Sequence, residues 1–119
     1  MKMFENVIAD LLRVDGVKGV AVVSKDGLLI EGQASDRTID VESTAAMVAT
    51  IYGTSLNVSK EVFHEEAVDM VTLESPKGKI ITVEAGENAV LTVLTDPKVN
   101  LGLVRIYLKR NAQKVASML

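Results

Sequence analysis

Between Glu42 and Lys60 the chain carries no formal charge, and the helical pattern around this run extends from Ile39 to Glu66. At 100° per residue, Met47, Val58, Ile51, Val62, Val48, Val41, Tyr52, Ala45, Leu56 and Ala49 fill an arc of roughly 200°, about twice what a helix needs to lie on one sheet. The run is no membrane span, because it is just short of the required length and holds Ser43, Thr44, Thr50, Thr54, Ser55, Asn57 and Ser59. Ala45, Ala49 and Gly53 recur at every fourth position, a ridge expected to let another backbone approach closely. The pattern therefore predicts a helix packed on two sides, with its own sheet beneath and a partner helix beside it. The plainer alternative is an extended core helix with a solvated Ser/Thr face.

Composition narrows the remaining choices. A chain of 119 residues with 48% apolar and 24% charged residues and two prolines reads as a single globular domain. Having no cysteine removes disulfide frameworks, thiolate nucleophiles and Cys-based zinc sites, and points to a reducing cytoplasm. Two Phe, two Tyr and no Trp offer little on which to stack nucleic-acid bases, and a net charge of −3 gives no global field to attract a phosphate backbone. The start, Met1-Lys2-Met3-Phe4-Glu5-Asn6, lacks a signal-peptide layout, since Glu5, Asp10 and Arg13 interrupt any apolar core.

The rest of the chain falls into short elements. Phe4, Val7, Ile8, Leu11 and Leu12 form one helical stripe, ended by Gly16. Gly19 to Ser24 and Leu28 to Glu31 read as two strands joined at Lys25-Asp26-Gly27, a strong hairpin signal. Before the long helix, Asp40 or Thr38 is available as its N-cap. Three strands follow, Val68 to Glu74, Lys79 to Glu84 and Ala89 to Thr95, separated by Ser75-Pro76-Lys77-Gly78 and Ala85-Gly86-Glu87-Asn88. Asp96-Pro97 reads as a cap followed by proline at the first helical position, and Leu101, Val104, Leu108, Ala112, Val115 and Leu119 mark the buried stripe of a last helix. The order is αββαβββα.

Val20 to Val23 and Val90 to Leu94 are apolar at nearly every position, as expected of strands covered on both faces. The first and fifth strands are therefore placed side by side in the middle, with the second at one edge and the third at the other. That third strand is apolar on both faces, Val68 and Met70 being set on one and Val71 and Leu73 on the other, and such an edge invites pairing with another strand. Together with the long helix, it makes self-association the leading expectation.

Chemistry is sparse. Gly78-Lys79 lacks the upstream glycine of a phosphate loop, and no G-x-G-x-x-G occurs. The single histidine lies in His64-Glu65-Glu66-Ala67-Val68-Asp69, but a zincin helix needs a second histidine one turn on, and a polar helix end explains the cluster as well. No G-x-S-x-G elbow presents a serine to His64. Arg37 stands in the polar segment before the long helix, where it is either a solvated loop residue or an arginine reaching toward a GTPase site. Lys98, Arg105, Lys109, Arg110 and Lys114 make the last helix basic, suited to an acidic partner or anionic headgroups, or simply to solvation. No catalytic, cofactor-binding or metal-binding residue is assigned, and no enzymatic activity is expected.

Taken in order, Gly16-Val17-Lys18-Gly19-Val20, Asp26-Gly27 and Asn100-Leu101-Gly102-Leu103-Val104-Arg105 make the whole chain resemble the Roadblock family, which includes dynein light chains and prokaryotic small-GTPase regulators. The chain looks like the minimal prokaryotic type. The resemblance implies a three-layer α/β/α sandwich on a five-stranded antiparallel sheet, with the first and last helices on one face and the middle helix on the other. It also implies a homodimer with paired third strands and paired middle helices, without a cofactor, binding a Ras-like GTPase or a larger assembly and supplying geometry rather than a catalytic group. Ala45, Met47, Ala49, Thr50, Gly53, Thr54 and Asn57 on the helix, with Val68, Met70 and Thr72 on the strand, are the expected interface. A self-associating structural or sensory domain that binds another protein or a small ligand without a GTPase is the competing expectation.

Overall fold

Two strands that are apolar at nearly every position must be covered on both faces, and this requirement organises the molecule. In the computed structural model, which describes residues 2–119, the order is α1 (Glu5–Leu12), β1 (Val17–Ser24), β2 (Leu29–Ala34), α2 (Val41–Phe63), β3 (Met70–Ser75), β4 (Gly78–Glu84), β5 (Ala89–Thr95) and α3 (Leu101–Met118). Met1, the first residue of the N-terminal segment read above, lies outside the described residues. The five strands form one antiparallel sheet in the order β2-β1-β5-β4-β3, so β1 and β5 are central and β2 and β3 are the edges, as expected from their hydrophobicity.

Two cores result. On one face α1 and α3 bury Val7, Ile8, Leu11, Val104, Leu108 and Val115 against Val20, Val22, Ile81, Val83, Leu91 and Val93. On the other, α2 lays Ala45, Val48, Ala49 and Tyr52 over Ala21, Val23 and Val90. Residues of β1 alternate between the two cores, the period of two that an extended strand imposes. Among the described residues, no helix is long and apolar enough to cross a membrane.

Local chemistry explains most element ends. Gly27 closes the β1–β2 hairpin at φ +98°, a conformation that costs glycine no steric penalty, and its amide donates to the Ser24 carbonyl. Asp40 caps α2, its carboxylate accepting from the amides of Glu42 and Ser43. The helix is shorter than the periodicity implied, ending at Phe63 because His64 takes the left-handed conformation at φ 55°.

Three local expectations need correction. α3 starts at Leu101, with the Asn100 side chain accepting from the Leu103 amide. Pro97 sits in a preceding turn, where Asp96 accepts from the Lys98 amide instead of capping the helix. Val68 lies before β3 rather than in it and packs on the α2 core, while Met70 packs on the opposite core, so the two do not share a face.

Candidate functional site

α2 divides its wide apolar arc in two. Val41, Ala45, Val48, Ala49 and Tyr52 turn toward the sheet. Met47 (59% exposed), Ile51, Val58 and Val62 (62% exposed) turn away from it and are open to solvent. Thr50, Thr54 and Asn57 extend the same exposed surface. The open residues recur at spacings of three and four, the repeat of a helix seam that meets another helix.

The small-residue ridge is not where the spacing placed it. Ala45 is completely buried and Ala49 nearly so, both against the molecule's own sheet. The β1–β2 turn also lies close to α2: a Cβ on Gly27 would lie 3.7 Å from the Ala46 Cα and 3.9 Å from the Ala49 Cβ. Gly53 is partly exposed, and a Cβ there would meet no atom within 4 Å. The three residues therefore do not act as one surface; two are used internally.

Three contacts hold α2 in place, and sequence reading missed all of them. The Tyr52 hydroxyl lies 3.1 Å from Oε2 of Glu84 and 3.3 Å from the Val68 carbonyl, tying mid-helix to the end of β4 and to the approach of β3. Lys25, from the β1–β2 hairpin, donates to the same Glu84 oxygen at 2.9 Å. Burial, reinforced by the Glu84 charge, raises the Tyr52 pKa well above its usual 10.0. At the other end, Gly32 on β2 lets Val41 approach, since a Cβ there would fall 2.6 Å from Val41 Cγ1. A large aromatic in the apolar arc was the sequence signal for the first contact; the partners Glu84 and Val68, 32 and 16 residues away along the chain, carry none.

At the β3 edge, Val71 packs toward the α2 core, while Leu73, opposite Ile80, is exposed. Leu73 and Ile80 line an open groove of about 290 Å³ with Ile39 and Leu94 on the α2 side of the sheet. Val68, Met70 and Thr72 are each half-buried, so the edge offers its backbone and Leu73 more than the side chains singled out from the sequence. β3 borders only β4. The α2 stripe and this edge together offer one uncovered helix face and one open strand edge, the latter with Lys18, Asp36, Lys77 and Lys79 around its groove.

His64 is exposed at the α2 C-cap, and Arg37 is exposed in the connection before α2. Among the described residues, no group of three or more His, Cys, Asp or Glu is arranged to hold a metal ion.

Comparison with known proteins agrees with this architecture. The model of the Roadblock/LC7 domain matches residues 3–95. An uncharacterised protein of Methanocaldococcus jannaschii is 42% identical over 116 residues, covering 98% of this chain and 96% of that protein. Among solved structures, a Roadblock/LC7 domain from Streptomyces avermitilis superposes with a TM-score of 0.89 at 17% identity, covering 99% of this chain and 98% of that one. The gliding protein mglB from Thermus thermophilus gives a TM-score of 0.87 at 19% identity, covering 95% of this chain and 85% of that one. With a matching family model over most of its length and the αββαβββα sandwich in place, the chain belongs to the Roadblock/LC7 domain family.

Proposed function

We propose that the chain works as a homodimeric, non-catalytic adaptor that presents its α2 helices to a Ras-like small GTPase or to a larger assembly. The observation that carries this reading is the uncovered stripe Met47, Ile51, Val58 and Val62 on a helix whose opposite face is already seated on its own sheet. A contiguous apolar surface on a charge-poor helix is costly to leave in water and marks a protein contact. The exposed β3 edge supports the same reading, because strand pairing across a two-fold axis would bring two α2 helices to the same side of one continuous sheet. Thr50, Thr54 and Asn57 then offer hydrogen bonds at the margin of the paired helices, where a second protein docks. The dimer supplies a shaped surface, and any effect on GTP hydrolysis arises through the GTPase's own residues.

Sedimentation equilibrium at micromolar concentration, followed by titration with a Ras-like GTPase from the same genome loaded with GDP or a non-hydrolysable GTP analogue, tests both halves. A two-chain mass and preference for one nucleotide state are expected. A single-chain mass overturns the dimer. Equal affinity for the two states reduces the role to passive scaffolding, and no GTPase binding by an intact dimer leaves a self-associating structural or sensory domain.

A further inference from the structure

On the opposite side of the sheet from α2, the outer surface of α3 has a composition unlike the rest of the molecule. We infer that this surface is a docking site for anionic lipid headgroups. Of thirteen bases and sixteen acids in the chain, four bases and no acid lie on α3, so the remainder holds nine bases against sixteen acids. At 100° per residue, Ile106 sits near the middle of the exposed arc, with Lys109 and Arg105 on one side and Arg110, Leu103 and Lys114 on the other, all within roughly 180°. Ile106 is 63% exposed and Leu103 40% exposed, and all four cations are exposed.

Little of this charge is used within the fold. Arg110 lies 3.4 Å from Asp10 and stacks on Tyr107 at 4.6 Å, whereas Arg105, Lys109 and Lys114 form no ion pair among the described residues. Two exposed apolar side chains set among cations, with cations at both margins of the arc, are the pattern of a helix that lies in a membrane interface: the apolar pair enters below the headgroups while the long cationic stems reach their phosphates. The net charge of the whole chain is negative and repels an anionic surface, so attraction has to come from a local concentration of this kind. A membrane satisfies the charged rows and the apolar centre together over a flat area, while an acidic protein would need its own complementary apolar patch. The surface is complete within one chain and faces away from α2, so it stands or falls independently of the adaptor reading.

Cosedimentation of the full chain with vesicles of phosphatidylcholine alone, or of phosphatidylcholine and phosphatidylglycerol in equal parts, decides the matter. At low salt, binding to the anionic vesicles is expected to be about a hundredfold tighter than to the neutral ones, from three free cations near the surface. Molar salt is expected to abolish the difference without any change in the protein. Arg105→Glu with Lys109→Glu should bring anionic binding to within about twofold of the neutral level, and Ile106→Ser should lower it about fivefold while keeping its salt dependence. Equal recovery with both vesicle types, or anionic binding unaffected by the double charge reversal, overturns the proposal. Retention on immobilised poly-glutamate through the same residues, with no vesicle binding, also overturns it and assigns the face to an acidic protein.

Discussion

The hydroxyl of Tyr52, midway along α2, meets the carboxylate of Glu84 at 3.1 Å, and the ammonium of Lys25 reaches the same oxygen at 2.9 Å. This junction ties the middle of α2 to β4 and to the β1–β2 turn, both distant in sequence.

Tyr52→Phe is expected to cost about 1 to 2 kcal/mol, the value of a partly buried hydrogen bond to a charged group. Because the folded-state pKa of Tyr52 lies above its ordinary 10.0, the unfolded chain releases this proton first, and stability falls as the pH rises above about 10. Urea denaturation midpoints at neutral and strongly alkaline pH check both points: the Phe variant should start lower and lose less at high pH. An unchanged alkaline loss in Tyr52→Phe would assign that loss to other groups.

Asp10 on α1 accepts from the buried Asn111 amide at 2.8 Å, and this bond, with Arg110 beside it, holds the carboxyl below its ordinary 3.8. A depressed folded-state pKa gives stability that is present above the ordinary value and lost as the pH falls from there through the lower folded-state value. Asp10→Ala is expected to cost about 1 to 2 kcal/mol at neutral pH and to flatten the acid limb of the stability curve. Thermal melts from neutral pH to below 4 would detect both changes; a variant as stable as the parent at pH 7 removes the α1–α3 junction from the account.

Gly32→Ala is expected to lower stability by about 1 to 3 kcal/mol, because the added methyl falls 2.6 Å from the stiff Val41 side chain. Val41→Ala in the same chain should recover much of that loss, a non-additivity measurable in a double-mutant cycle. Additive effects would mean that the two residues do not share the space.

Ile51→Glu places a charge in the centre of the uncovered stripe and should reduce the sedimenting mass to one chain while leaving the fold intact, since the position is exposed. Gly53→Leu lies on the other flank of α2 in open space and should retain the dimer, with the helix stabilised by up to about 1 kcal/mol. The opposite pattern, a paired Ile51→Glu and an unpaired Gly53→Leu, would move the contact to the small-residue flank.

How far the residues spoke for themselves varies along the chain. Strand positions at the centre of the sheet were legible because residues buried on both faces must be apolar without alternation, as Val20 to Val23 and Val90 to Leu94 are. The Asp26-Gly27 turn and the Asp40 cap were legible because they use local backbone chemistry. The end of α2 was not, since neither His64 nor its neighbours is a strong stop signal. Asp96-Pro97 carried a valid start signal that a second one, at Asn100, displaced.

Periodicity along the chain determined that α2 has more apolar surface than one sheet can cover, because spacing at 100° per residue depends on nothing beyond the helix itself. Which part of that surface is spent internally was decided only by the tertiary structure. Ala45 and Ala49 are used under the helix because the sheet lies close there, and Met47, Ile51, Val58 and Val62 are left open because the angle of α2 on the strands turns them outward. That angle follows from Gly32 against Val41 and from Tyr52 with Glu84 and Lys25. These contacts join residues far apart in the chain, and no local rule encodes who meets whom until the sheet has brought them together.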